Sequence, residues 1–443
     1  MKKKHCFQEF IRYTFLNVMG MVGLSCYILA DTFFISKGLG ANGLAALNLA
    51  IPVYSFINGS GLMLGMGGAT KYSILKGQQS AENADRIFTN TIYAAAVLAA
   101  VFMAAGLFGS KELAVLVGAD AQTFEMTDIY LKVILLFAPA FIFNQVFVCF
   151  VRNDGRPRLS MAAMLIGSFS NIILDYIFVF PLRMGILGAV LATGCAPFVS
   201  MCILSMHWLG RRNDFHFRKE RVQPAVIASG VSLGLPSLIT EVSSGIVILV
   251  FNAIVWRLAG NIGIAAYGVV ANLSIVAVSI FTGIAQGMQP IVSRAYGKGD
   301  RKSTKQFFHY GVITAGVLSA AVYVMVFVFS DPIAAVFNSE QNDMLQKIAV
   351  HGIHVYFTAL FFMGFNIVLS SYFASIERAV PAHILSITRG LIFVIPAAYI
   401  LSALAELTGV WLAVPVAEGM ACMVGIVMYV RMNGMGRQRG MDF

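Results

Sequence analysis

Four of the 21 acidic residues, Asp31, Asp175, Glu241 and Glu418, fall inside long apolar stretches of the chain. A charge placed in lipid costs about 2.5–3.5 kcal/mol on insertion scales, so such residues usually serve a function or pair with one another. Asp31 stands six residues before Lys37, and Asp175 six before Pro181. On helices this puts both carboxyls roughly 9 Å below the same membrane edge. Asn171 lies one turn deeper on the face of Asp175, and Thr193 comes seven residues into the next apolar stretch, at a similar level. Two carboxylates, an amide and a hydroxyl at one depth make an oxygen-rich cluster. It suits a proton shared between the acids, or a small hard cation such as sodium. The plainer alternative is that the aspartates only brace helices through hydrogen bonds.

The other candidates are less pointed. Glu241 lies near the middle of its stretch, about 15 residues from either end. It could face a cavity and attract a cationic solute, or it could pair with Arg389, the single basic residue well inside an apolar stretch. Glu418 is the second possible partner, and a buried Arg389–Glu418 pair is the favoured reading there. His351 and His354 are spaced to share a helical face, as a pH sensor or as hydrogen-bonded interfacial residues. No further ligands for a metal accompany them. Cys6, Cys26, Cys149, Cys195, Cys202 and Cys422 have no paired or metal-type spacing and read as small core residues. No Gly-x-x-x-x-Gly-Lys-Ser/Thr segment is present, so nucleotide hydrolysis does not drive this protein.

Twelve apolar stretches must position these groups: 10–37, 44–76, 88–108, 129–151, 159–181, 186–209, 226–258, 264–296, 307–329, 348–374, 381–404 and 410–430. Each is long enough to cross the roughly 30 Å hydrocarbon core as a helix, which takes about 20 residues. Hydrophobic residues make up 58% of the 443 and charged residues 12%, a composition that suits membrane helices. The first stretch is too long for the apolar part of a signal peptide and is read as a spanning helix. With the amino terminus inside, 24 of the 31 basic residues fall in the amino-terminal stretch, the inner loops and the tail Arg431, Arg437 and Arg439. The positive-inside rule then places both termini in the cytoplasm. The net charge of +10 follows from the same pattern. It orients the protein and meets anionic lipid heads, rather than nucleic acid.

The chain also repeats itself. At an offset of 220, Gly40 meets Gly260, Gly43 meets Gly263, Gly67 meets Gly287, Ser73 meets Ser293 and Gly77 meets Gly297. An offset of 224 pairs Pro157 with Pro381 and Gly185 with Gly409. The expected fold is an all-α integral membrane protein with 12 transmembrane helices in two pseudo-symmetric six-helix bundles. Residues 1–210 form the first bundle, 211–225 a basic cytoplasmic linker and 226–443 the second bundle. Parallel halves of this kind belong to secondary transporters. The second and eighth stretches carry Gly59, Gly61, Gly65, Gly67 and Gly68 against Gly283 and Gly287, for close packing or for a hinge. The polar cluster is not repeated: Phe251, Ile395, Tyr399 and Ala417 stand at the matching positions.

The pair Asp31-Thr32 before a glycine-bearing turn, the spacing Asn171-x-x-x-Asp175, and the segment Met184-Gly-Ile-Leu-Gly-Ala-Val-Leu-Ala-Thr193 resemble the multidrug and toxic compound extrusion (MATE) family. The resemblance covers essentially the whole chain and looks closest to the prokaryotic DinF-like branch. It implies that Asp31, Asn171, Asp175 and Thr193 carry the cation or proton site. Members of that branch often have a proline about four turns before the aspartate of the first helix. Here Leu16-Asn17 occupies that region, and the proline stands at the repeat position, Pro236. A proline-assisted bend of the first helix is therefore in doubt.

The expectation is a monomeric antiporter of the bacterial inner membrane, exporting lipophilic, cationic compounds in exchange for H⁺ or Na⁺. It would be no enzyme, need no cofactor, and touch small solutes and lipids but no nucleic acid. One rival is a flippase for lipid-linked sugars, which would be expected to carry several cavity arginines or lysines. Another is a membrane enzyme using Asp31 and Asp175 as an acid–base pair, for which no nucleophile accompanies the carboxylates.

Overall fold

Two glycines interrupt what would otherwise be two helices of 76 and 74 residues. Lys2–Gly77 breaks at Gly40 (φ 68°, ψ −159°) and Pro224–Gly297 breaks at Gly260 (φ 58°, ψ −148°). That corner of backbone space is open essentially only to a residue without a Cβ. The repeat of the sequence thus returns as one backbone device used twice. The computed structural model describes residues 2–338 and 341–438. Arg439, counted above with the tail, lies outside them.

The described residues are helical, with no strand among them. The spans are α1 (His5–Gly40), α2 (Asn42–Gly77), α3 (Ala81–Phe108), α4 (Phe124–Leu136 and Ala138–Asn153), α5 (Pro157–Val179) and α6 (Gly185–Leu209). They continue with α7 (224–259), α8 (261–297), α9 (Arg301–Val328), α10 (Asp343–Tyr356 and Leu360–Ser375), α11 (379–404) and α12 (407–438). Twelve spans were expected and twelve are found among the described residues once the breaks at Gly40, Gly260 and Ala405–Glu406 are counted and the bent α4 is taken as one span. Their lipid-facing sides are apolar stripes, as on α3, where Val97, Val101 and Phe108 are exposed.

Several spans are not straight. α4 bends by 47° at Phe137. Pro139 explains the break, since it lacks a donor N–H and its ring clashes with the preceding turn. α10 breaks through a 3-10 turn at Phe357–Ala359, 220 residues further on, with no proline to cause it. α11 carries a π-helical turn at Thr388–Ile392. Short helices, Ser110–Leu116 and Ser330–Phe337, fill the connections after α3 and α9.

The chain forms two compact units, one of Met19–Val242 with Ser293–Gly299 and the other of the remaining described residues. In the first, α2 meets α7 backbone to backbone. A Cβ at Gly67 would fall 1.9 Å from the Gly230 carbonyl oxygen, and one at Gly234 would fall 1.8 Å from that of Met63. In the second unit, Cβ atoms at Gly283 and Gly287 would each fall 2.6 Å from the Cα of Val18 and Thr14. Close packing is therefore one use of these glycines. Gly67→Val should destabilise the protein by about 1–3 kcal/mol through overpacking. Thermal unfolding in detergent measures this, and an unchanged midpoint would contradict the contact.

The connection between α4 and α5 holds a buried charge. Asp154 accepts from Tyr72 Oη at 2.6 Å, Lys76 Nζ at 2.6 Å and the Asp214 amide at 2.9 Å, and His207 Nε2 lies at 2.7 Å. Burial pushes the Asp154 carboxyl up, but those four partners outweigh it and hold the group below its ordinary value. A depressed carboxyl stabilises the fold above its unfolded pKa of about 3.9, and that contribution drains away as pH falls through the folded pKa. Asp154→Asn should cost about 3 kcal/mol at neutral pH and flatten the acid limb of a stability–pH curve. An acid limb identical to wild type would refute this.

The basic linker is strapped down rather than loose. Asp85 accepts from Arg218 Nε and from the His216 amide, both at 2.9 Å, and the Gln223 amide donates to Asn90 Oδ1 at 2.8 Å. Phe215 is fully buried, with its ring centroid 4.6 Å from that of Phe88.

Candidate ion-binding site

Four helices of the first unit bring one polar cluster together. Asp31 comes from α1, Tyr130 from α4, Asn171 and Asp175 from α5 and Thr193 from α6. Small residues let α6 approach its neighbours: a Cβ at Gly188 would fall 3.0 Å from Phe178 of α5, and one at Gly194 would fall 2.6 Å from Phe137. Phe137 is the break point of α4, so the bend that Pro139 imposes also seats α4 beside Thr193.

The carboxyls of Asp31 and Asp175 lie within hydrogen-bonding reach of each other. Two carboxylate oxygens have no donor between them, so this contact needs one proton. With its amide oriented so that donors meet acceptors, Asn171 donates to Asp175 Oδ2 at 3.0 Å and accepts from the Thr193 amide at 3.2 Å. The Thr193 hydroxyl donates to the Ala189 carbonyl at 3.1 Å, and Tyr130 lies in hydrogen-bonding reach of it. All four expected residues are buried, Asn171 and Asp175 completely. One oxygen of each aspartate, Oδ1, has no protein partner. The cluster therefore has the two things a coupling ion needs: a carboxyl pair that can hold a proton, and open oxygens that can ligate a hard cation.

Three tyrosines and two amides were not read from the sequence. Besides Tyr130, the hydroxyls of Tyr27 and Tyr54 meet at 2.8 Å. Tyr54 is one turn from Asn58 on α2, whose Oδ1 accepts from Gln145 at 2.6 Å. Glu241 belongs to this group. It is a hydrogen-bonding neighbour of Asn58, and its Cβ lies 3.0 Å from where a Cβ of Gly59 would sit.

The second unit is different. Phe251 stacks on Tyr267 and Tyr267 on Trp411, with centroids 5.6 Å and 6.1 Å apart, so the position matching Asp31 is part of an aromatic pile. Ala417 is buried, Ile395 half-buried and Tyr399 exposed. Arg389 pairs with Glu418, Nη2 to Oε1 at 2.7 Å. His351 and His354 do not act together: His351 meets Thr408 at 3.1 Å, while His354 meets Ser330 at 2.9 Å and stacks on Phe327. Among the described residues no three of His, Cys, Asp and Glu gather as a metal site.

Twelve spans in repeated halves, with a buried cluster of two aspartates, an amide and a hydroxyl in the first half and no counterpart of it in the second, are the makings of a secondary transporter. The MatE family model matches residues 18–177 and 236–400. The chain belongs to that family, the MATE transporters, and is a multi-pass membrane transporter rather than an enzyme. It is 24% identical over 428 residues to the multidrug export protein MepA of Staphylococcus saprophyticus, covering 96% of this chain and 94% of the relative. Among solved structures, a MATE transporter in complex with MaL6 superposes with a TM-score of 0.91 at 24% identity, over 97% of both chains. An outward-facing multidrug resistance MATE transporter of the MOP superfamily gives 0.90 at 23% identity, over 97% of this chain and 96% of that one.

Proposed function

We propose that this protein exports lipophilic, cationic compounds in exchange for H⁺ or Na⁺ entering through the cluster of Asp31, Asn171, Asp175 and Thr193. The observation that carries the reading is the buried Asp31–Asp175 pair with an unpartnered oxygen on each acid. In this account Glu241, with Asn58 and Gln145 beside it, attracts the cationic end of the solute. The first half, 1–210, holds the ion site; the linker, 211–225, joins it to the second half, 226–443. The protein acts as a monomer in the bacterial inner membrane with both termini in the cytoplasm. Its relatives' names as multidrug export proteins support the substrate class.

Reconstitution into liposomes tests this reading. A fluorescent lipophilic cation should be pumped against its gradient when an inward pH gradient or an inward Na⁺ gradient is imposed, each applied alone. The gradient that drives it names the coupling ion. No pumping under either gradient would overturn the proposal.

A further inference from the structure

A line of polar side chains in the first unit runs from the ion cluster to Glu241. Tyr27 stands one turn before Asp31 on α1, and Asn58 stands one turn after Tyr54 on α2. The two phenol hydroxyls meet at 2.8 Å. Asp31 acts electrostatically on both of them, and its Oδ1 has no protein partner. Glu241 acts on the Tyr54 hydroxyl and is a hydrogen-bonding neighbour of Asn58. Gln145 donates to the Oδ1 of Asn58 at 2.6 Å, which leaves the N–H donors of that amide for Glu241. Tight packing of α2 on α7 sets this reach, since a Cβ at Gly59 would fall 3.0 Å from the Cβ of Glu241.

The tyrosine pair can be made in two ways. A hydroxyl has a single proton, so one O–H fills the bond between the rings and the other is left to point outward. If Tyr54 donates, the Tyr27 proton turns to the side of Asp31. If Tyr27 donates, the Tyr54 proton turns to the side of Glu241. The ring of Tyr54 is held meanwhile, edge-on to Phe141 of α4 with centroids 5.5 Å apart. Passing from one arrangement to the other therefore needs only the rotation of two hydroxyls. The titratable groups facing the pair are Asp31 on α1, Tyr130 on α4 and Glu241 on α7, with Asp175 of α5 behind Asp31.

We propose that the Tyr27–Tyr54 hydroxyl pair passes the state of the ion site to Glu241, an inference that rests on the exchange reading above. With the site empty, one shared proton leaves the Asp31–Asp175 pair with a single negative charge. The Tyr27 proton then turns to Asp31, and Tyr54 donates to Tyr27. No phenol proton faces Glu241, whose carboxylate is left to the cationic solute. A second proton, or Na⁺, removes the charge that held the Tyr27 proton. Tyr27 then donates to Tyr54, and the Tyr54 proton turns to Glu241 and competes with the solute for it. Both tyrosines are positioning residues, since neither needs to touch ion or solute. A two-state element that both sites bias is what carries coupling between them.

The test uses the full chain in lipid nanodiscs with ethidium as the cationic probe. Its affinity is measured at high and low pH, with and without Na⁺. Tyr27→Phe and Tyr54→Phe each remove one hydroxyl and keep the ring, and either one suffices should the other not fold. Filling the ion site should weaken binding about fivefold or more in the wild type and less than about twofold in either variant. The double variant should do no more than each single one, because losing either hydroxyl breaks the pair. A change of packing alone would move affinity or the thermal midpoint at every pH and leave the ratio intact. A wild-type ratio in either single variant would therefore overturn the inference. A folded variant that binds no ethidium under any condition would overturn it too, for that hydroxyl would then be a contact of the solute itself. Wild-type affinity indifferent to pH and Na⁺ would overturn the exchange reading, and this inference with it.

Discussion

Asp31→Asn or Asp175→Asn should each cut ion-driven export by at least about tenfold, the equivalent of ~1.4 kcal/mol, with normal amounts of protein in the membrane. Each change removes a titratable oxygen from the pair but keeps the shape of the side chain. Asn171 can turn its amide to meet either group at position 175, so the hydrogen bonds of α5 survive. The buried carboxyls are held at a desolvation cost that a purely structural brace would not need to bear. Stability should therefore hold or rise in both variants while transport falls. Efflux assays paired with thermal unfolding separate the two effects. Wild-type efflux in both single variants would show that the aspartates only brace the helices.

The cluster was legible for a physical reason. A carboxylate in an apolar stretch is so costly that its position is informative, and the helical rise converts the position into a depth. Asn171 and Thr193 followed from spacing alone. Tyr130, Tyr27 and Tyr54 did not, because a tyrosine in a membrane span is ordinary and nothing in its neighbours marks it. The breaks at Gly40 and Gly260 were visible as repeated glycines, though not as backbone left-handed turns. Pro139 could have announced the bend in α4, whereas the matching break at Phe357 has no local signal and could be found only through the repeat. Asp154 lay among loop charges, where a buried acid looks like any solvated one. The Arg389–Glu418 pair was the favoured reading and is what the structure shows, although Glu241 was also an open partner in sequence.

The second large effect expected is antagonism between ion and solute. If Asp31, Asn171, Asp175 and Thr193 take the driving ion, filling the site changes the charge and packing of the compact unit that Glu241 shares with it. The hold on a cationic solute then weakens, and by linkage the solute weakens the ion equally. A coupling of this type is typically 1–3 kcal/mol, about 5- to 150-fold in affinity. A ligand with equal affinity for both states would shift nothing. The direction is fixed by the exchange: lower pH or added Na⁺ must weaken solute binding.

Affinity of the reconstituted protein for one fluorescent lipophilic cation, titrated across pH with and without Na⁺, is the most direct measurement. The account predicts that affinity falls by about fivefold or more as protons or Na⁺ fill the site, and that this dependence disappears in Asp31→Asn and Asp175→Asn. An affinity that stays constant across pH and Na⁺ in the wild-type protein would contradict exchange through this cluster.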